Sequence, residues 1–99
     1  MTVIEYSLER SIRKLMPGQT PDEALAHLLL TLAKRKLVKY EAEQHRFERK
    51  YRIPFDQFRE ALLKGKPLEG EEQDYFDWEL AVTGIAEMTD EIRYLESLA

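Results

Sequence analysis

Three groups of residues in this chain have types and spacings that can do chemistry: two histidines, a block of carboxylates and a basic run. His27 and His45 lie 18 residues apart, five helical turns, so on one continuous helix they share a face. The same geometry separates them by roughly 27 Å along the axis, which rules out a metal ion shared within one chain. Neither has a glutamate three residues before it, so the Glu-x-x-His pattern of carboxylate-bridged di-iron bundles is missing. His45 falls between Glu41 and Glu48, at i−4 and i+3, the spacing of a surface ion pair. No metal and no cofactor are expected.

The carboxylates Glu71, Glu72, Asp74, Asp77 and Glu79 recur at helical spacings that in principle hold a divalent cation or work as an acid/base pair. Paired carboxylates become catalytic when burial or crowding splits their pKa values within a cleft, and short-looped helices offer none. A solvated polar face is the ordinary role of such a block. The chain has no Gly-x-Ser-x-Gly, no P-loop, no cysteine, and no histidine near a candidate serine nucleophile. No catalytic residue is expected, and the reading is non-enzymatic.

The basic run KRKLVK makes Lys34, Arg35, Lys36 and Lys39 the candidate nucleic-acid contacts. A chain with pI near 5.2 lacks the general electrostatic footprint of a DNA-binding domain, and the run contains no aromatic platform. Still, a first helix, the PGQT turn and a second helix imitate a helix-turn-helix layout. A short strand over TVIEYS would instead resemble a ribbon-helix-helix repressor, although Ile4, Leu8 and Ile12 keep a helical register. DNA is thus a secondary partner in this reading.

These groups must be positioned by a small scaffold. Ninety-nine residues make one domain with a modest core, unless association adds buried surface. A hydrophobic share of 43% with 34% charged residues is that of a folded chain rather than a disordered one. The start MTVIEYSLER has no basic region leading into an apolar run, and the longest apolar cluster, ALAHLLLTLA, is interrupted by His27 and Thr31. Neither a signal peptide nor a membrane span is expected, and a cysteine-free chain fits a cytoplasmic setting. The net charge of −4 hides a gradient: residues 1–52 carry 11 Lys/Arg against 7 Asp/Glu, residues 53–99 carry 4 against 12. Halves of opposite sign fit pairing with each other, within one chain or between two, or a division of the domain into a weakly basic half, 1–52, expected to dimerise, and an acidic half, 53–99, expected to bind a partner.

Hydrophobic spacing predicts helix nearly everywhere. Ile4, Leu8, Ile12 and Leu15 share one face, with Thr2 and Glu5 as a capping box and Pro17-Gly18 as the stop. Thr20, Pro21 and Glu23 then form a stronger start, and no glycine or proline follows until Pro54. A heptad-like series runs Ala26, Leu30, Ala33, Leu37, Tyr40, Gln44, Phe47, Tyr51, and Leu25, Leu28, Leu29 and Leu32 widen its first half. A third, short helix carries Phe55, Phe58 and Leu62 and closes at Gly65. The last carries Tyr75, Trp78, Val82, Ile85, Met88, Ile92 and Leu95 on one stripe, with Gly84 as its weak point. A second helix of that length, roughly 45 Å, does not fit a compact chain with a radius of gyration of about 13 Å. Either it breaks near Gln44 to Arg46, or the molecule is elongated and a second copy covers its stripes. The expected fold is all-α, about four helices with two long, a helical hairpin or bundle completed by homodimerisation through Leu30, Ala33, Leu37 and Tyr40.

The segment DYFDWE, residues 74–79, joins the chain's only tryptophan to acidic groups. Tyr75 and Trp78 lie on the apolar stripe, which makes them core, but aromatics ringed by acids also match interaction hot spots that select a basic partner. In the second reading Glu71, Glu72, Asp74, Tyr75, Asp77 and Trp78 form a partner-binding patch.

The stretch KYRIPFDQFREALLKGKPLEGEEQDYFDWELAVTGIAEMTDEIRYLESL, about the last half of the chain, resembles small helical antitoxins of prokaryotic toxin–antitoxin modules, particularly those paired with TumE-like ribonuclease toxins. Lys50-Tyr51, the Phe55/Phe58 pair, the Gly65 turn and Asp74-Tyr75-x-x-Trp78-Glu79 carry the resemblance. It implies a non-enzymatic, cytoplasmic, homodimeric protein whose acidic half masks a basic RNA-cleaving toxin, with autoregulatory DNA binding as a further option. The alternative expectation is a self-associating helical scaffold or adaptor with no toxin partner.

Overall fold

The longest helix begins where its capping chemistry predicts. Thr20 is extended (φ −71°, ψ 159°), its Oγ1 accepts the Glu23 N–H at 3.1 Å, and Pro21 takes the first helical position, where its missing N–H is no loss. The computed structural model describes residues 3–65 and 70–98. Among them are four helices and no strand: α1 (Val3–Leu15), α2 (Pro21–Tyr51), α3 (Phe55–Lys64) and α4 (Glu71–Leu98). The class is all-α, as the periodicity predicts. The strand considered for TVIEYS does not form over Val3 to Tyr6, which are helical, while the capping residue expected at Thr2 lies outside the described residues. Gly18, at φ +85°, makes the turn after α1 that a side chain would strain.

α2 runs unbroken for 31 residues. The break considered near Gln44 to Arg46 does not occur, because Phe47 and Tyr51 stay in register and hold that end against α4. The helix stops at Arg52, a left-handed residue (φ 58°, ψ 29°) whose N–H donates to the Glu48 carbonyl at 2.7 Å. The molecule is a rod of 58 × 24 × 18 Å with a radius of gyration of 19.7 Å, well above the ~13 Å of a compact chain this long.

α2 and α4 form an antiparallel hairpin. Along it Tyr51 meets Asp74, Phe47 meets Trp78, Tyr40 meets Gly84, and Leu29 shares a groove with Leu95. The heptad seam of α2 therefore finds its partner in the same chain. Ala33 is buried and the Tyr40 ring stands over Gly84, while Leu30 and Leu37 are half-buried on the same seam. This corrects the expectation that Leu30, Ala33, Leu37 and Tyr40 form the surface between two copies. The spacing of a coiled-coil seam reports that a helix is covered, and α4's own stripe supplies the cover.

The core is aromatic and sits at one end of the rod, where α3 folds over the hairpin. Trp78, fully buried, is enclosed by Phe58 at 5.2 Å, Phe55 at 5.4 Å, Phe47 at 5.6 Å and Tyr51 at 5.9 Å between ring centroids. At the other end the helices are joined by small residues, Ala26 and Ala33, and by Leu95. Aromatic rings thus stabilise one end, and close backbone approach allows packing at the other.

Candidate partner-binding interface

Asp74 lies at the aromatic end of the rod. Its Oδ2 accepts hydrogen bonds from Lys50 Nζ at 2.6 Å and from the Tyr51 hydroxyl. Burial works to raise the Asp74 carboxyl, but the hydrogen bonds from Lys50 and Tyr51 outweigh it and hold its pKa below the usual aspartate value. Burial, then the hydrogen bond to Asp74, pushes the Tyr51 hydroxyl well up. The group fastens α2 to α4 and is not presented to a partner.

A pH dependence with two limbs follows. Asp74 is depressed in the folded state, so its contribution is full above the unfolded aspartate value of about 3.9 and is lost as pH falls through the folded value. Tyr51 is raised, so its contribution is full below the unfolded tyrosine value of about 10 and is lost as pH rises through the folded value. Asp74→Ala is expected to lower stability by about 1 to 2 kcal/mol at neutral pH, since half-exposed Lys50 is partly screened. Urea midpoints measured from pH 3 to pH 7 should show a shallower acid limb for Asp74→Asn than for the native chain. Parallel curves would refute the assignment.

The other residues expected to bind a partner fall into two groups. Trp78 is core, and Tyr75 is half-buried with its ring stacked on Phe55 at 5.7 Å. Both serve packing, which corrects the expectation of an aromatic anchor at those positions. Glu72 is exposed, Glu71 and Asp77 are half-buried, and Asp77 Oδ1 accepts from Gln73 Nε2 at 3.0 Å. Tyr94 is exposed toward the far end of α4, and near this end Phe76 stays open, 56% exposed, with Leu80, 63% exposed, one turn further along. The i, i+4 spacing of Phe76 and Leu80 puts them together on the side away from α2. That signal was present in the sequence as two apolar residues off the main stripe.

The helix that carries them is strongly acidic, with nine Asp/Glu and one Lys/Arg along α4, and exposed Glu72 and Glu79 stand about one turn from Phe76. The basic run lies on α2. Lys34, Arg35 and Lys39 border a shallow surface with Thr31 and Val38, all exposed, whereas Lys36 falls on the opposite flank at 100° per residue. Four basic residues split over two faces do not make one phosphate-binding stripe.

The histidines behave as isolated groups. His27 Nδ1 pairs with Gln19 Oε1 at 2.8 Å, and His45 is exposed. Among the described residues no cluster of three His, Asp or Glu side chains could hold a metal ion, and no helix is long and apolar enough to cross a membrane. Comparisons with protein-family models, curated proteins and solved structures give no match to this chain.

Proposed function

We propose that this chain is a non-enzymatic, cytoplasmic binding protein that captures a basic protein partner on the outer face of α4, in the manner of an antitoxin that masks a ribonuclease toxin. The observation that carries this reading is the exposed Phe76–Leu80 pair set in a helix with nine acids and one base. Large apolar contacts bury area while surrounding charges steer encounter and reject like-charged surfaces. The rigid hairpin behind the patch lowers the entropy lost on binding. The runner-up is a self-associating helical scaffold with no toxin, favoured by the separate apolar flank of α2.

Steering and anchoring are separable by mutation. Glu72→Lys with Glu79→Lys is expected to slow association with the basic partner by about tenfold at low salt, and the deficit should shrink as salt rises. Phe76→Ala is expected to accelerate dissociation by about tenfold or more with little change in association. Thermal melts of both variants alone should stay close to that of the native chain, because the altered side chains are exposed and the hydrogen bond that Glu79 accepts from Tyr75 lies at the solvent-facing surface. Unaltered binding kinetics in both would refute the α4 reading and favour the scaffold.

A further inference from the structure

The seam of α2 that faces α4 accounts for only part of its apolar residues. Leu25, Leu28, Leu29 and Leu32 lie about a third of a turn from that seam at 100° per residue, and each is about half-exposed. They form one continuous surface with their surroundings. Leu25 and Leu28 share a groove with Leu8 and Ile12 of α1, and Leu25 and Leu29 share another with Leu95 and Leu98 of α4. Leu8 and Leu98 are themselves more than half-exposed. The exposed leucine surface is on the order of 500 Å², at the upper range of what a monomer leaves open and the larger part of the ~800 Å² per partner that a standard interface buries.

The charges on α2 say what covers it. The helix reads acid, then leucine, then base: Asp22 and Glu23 in its first turn, the leucine block, then Lys34, Arg35, Lys36 and Lys39. That order is self-complementary under a two-fold axis through the middle of the leucine block. An antiparallel copy brings its Lys36 beside Asp22, and the reverse contact follows by symmetry. Asp22 and Lys36 both lie on the leucine side of the helix, the first lining both leucine grooves. A parallel copy would instead set acid against acid and base against base.

We propose that the leucine flank of α2 is the contact between two copies of this chain, with the two α2 helices antiparallel about a two-fold axis between Leu28 and Leu29. This goes beyond the partner-binding reading and does not depend on it. Phe76 lies roughly 28 Å along α4 from Leu95, so self-association leaves the acidic patch open. A dimer of this kind presents two partner-binding faces at opposite ends.

The absence of cysteine makes the geometry directly measurable. Leu28→Cys is close enough to the axis to meet its own copy. In this register Leu25 is separated from Leu25 of the second copy by roughly 10 Å along the axis, beyond the ~7 Å that a disulfide spans, but it lies opposite Leu32. Under mild oxidation Leu28→Cys should give a covalent dimer and Leu25→Cys alone should not. An equimolar mixture of Leu25→Cys and Leu32→Cys should again cross-link. Leu29→Glu should weaken the dimer by roughly a hundredfold, because it buries an unpaired charge. Lys36→Glu should weaken it by about tenfold, and Lys36→Glu with Asp22→Lys should recover affinity. Circular-dichroism melts confirm that each variant folds, since these side chains are exposed in the protomer. A sedimentation mass of 11.7 kDa at tens of micromolar native chain would overturn the proposal and leave the flank to a different partner. Self-cross-linking of Leu25→Cys as efficient as that of Leu28→Cys would overturn it in favour of parallel packing.

Discussion

Trp78→Ala is expected to lower the stability of the chain by about 3 to 5 kcal/mol, the largest loss available from a single side chain in this fold. The indole has no exposed surface and is packed against Phe47 of α2 and Phe55 and Phe58 of α3. Its removal opens a cavity that rigid aromatic neighbours collapse into poorly. Trp78→Phe should be far milder, because the indole Nε1 is buried with no hydrogen-bond partner and the substitution leaves no polar group orphaned. As the only tryptophan, Trp78 also reports on itself: native emission should be blue-shifted and should move red in a single urea transition. A Trp78→Ala protein that melts like the native chain would contradict the aromatic core.

The second large effect is expected at Gly84. A Cβ built there comes within 2.6 Å of the Tyr40 ring, so any side chain forces the ring or the helix to move. Gly84→Val is expected to lower stability by about 3 kcal/mol through overpacking. Gly84→Ala separates packing from helix propensity. Alanine is favoured over glycine in a helix by about 1 kcal/mol, so the clash must exceed that gain for the native background to be destabilised. In a Tyr40→Ala background the clash is gone, and the same Gly84→Ala change should stabilise. Chemical denaturation of the four proteins of this cycle measures the reversal of sign, and the same sign in both backgrounds would rule out the ring–glycine contact.

Gly84 also shows why some of the structure was legible in the sequence and some was not. Helix boundaries follow local chemistry, so Thr20-Pro21 and Gly65 marked their elements directly. A glycine within a helical stripe reads locally only as a propensity defect. That it seats a ring 44 residues away depends on the register of the hairpin, which no local pattern encodes. The same limit applies to the α2 heptad. Its period states that the face is covered, and a chain of this length has two possible covers, its own α4 or a second copy. Lys50-Tyr51 and Asp74 enter the sequence reading only through a resemblance, and the hydrogen bonds between them give a physical reason for those residue types. Trp78 and Phe76 illustrate the opposite outcomes for one segment: two positions apart on α4, one ring is sealed and the other is more than half-exposed. Their angle around the helix separates them, since Phe76 falls nearly half a turn from Trp78 at 100° per residue, whereas composition groups them together and leads to the partner-binding expectation for Trp78.

On the proposed antitoxin-like reading the partner is encoded beside this chain, so the product of the adjacent gene is the protein against which binding on the acidic face of α4 is most directly measured. The two proteins should be co-expressed, purified through a tag on the neighbour, and assayed for RNA cleavage before and after adding this chain. The expected result is a stable complex with a basic neighbour, suppression of its RNA cleavage, and loss of both with Phe76→Ala combined with Glu72→Lys and Glu79→Lys, while the triple variant alone melts close to the native chain. No complex at micromolar concentrations with a folded neighbouring protein, or a complex indifferent to those three substitutions, would contradict it.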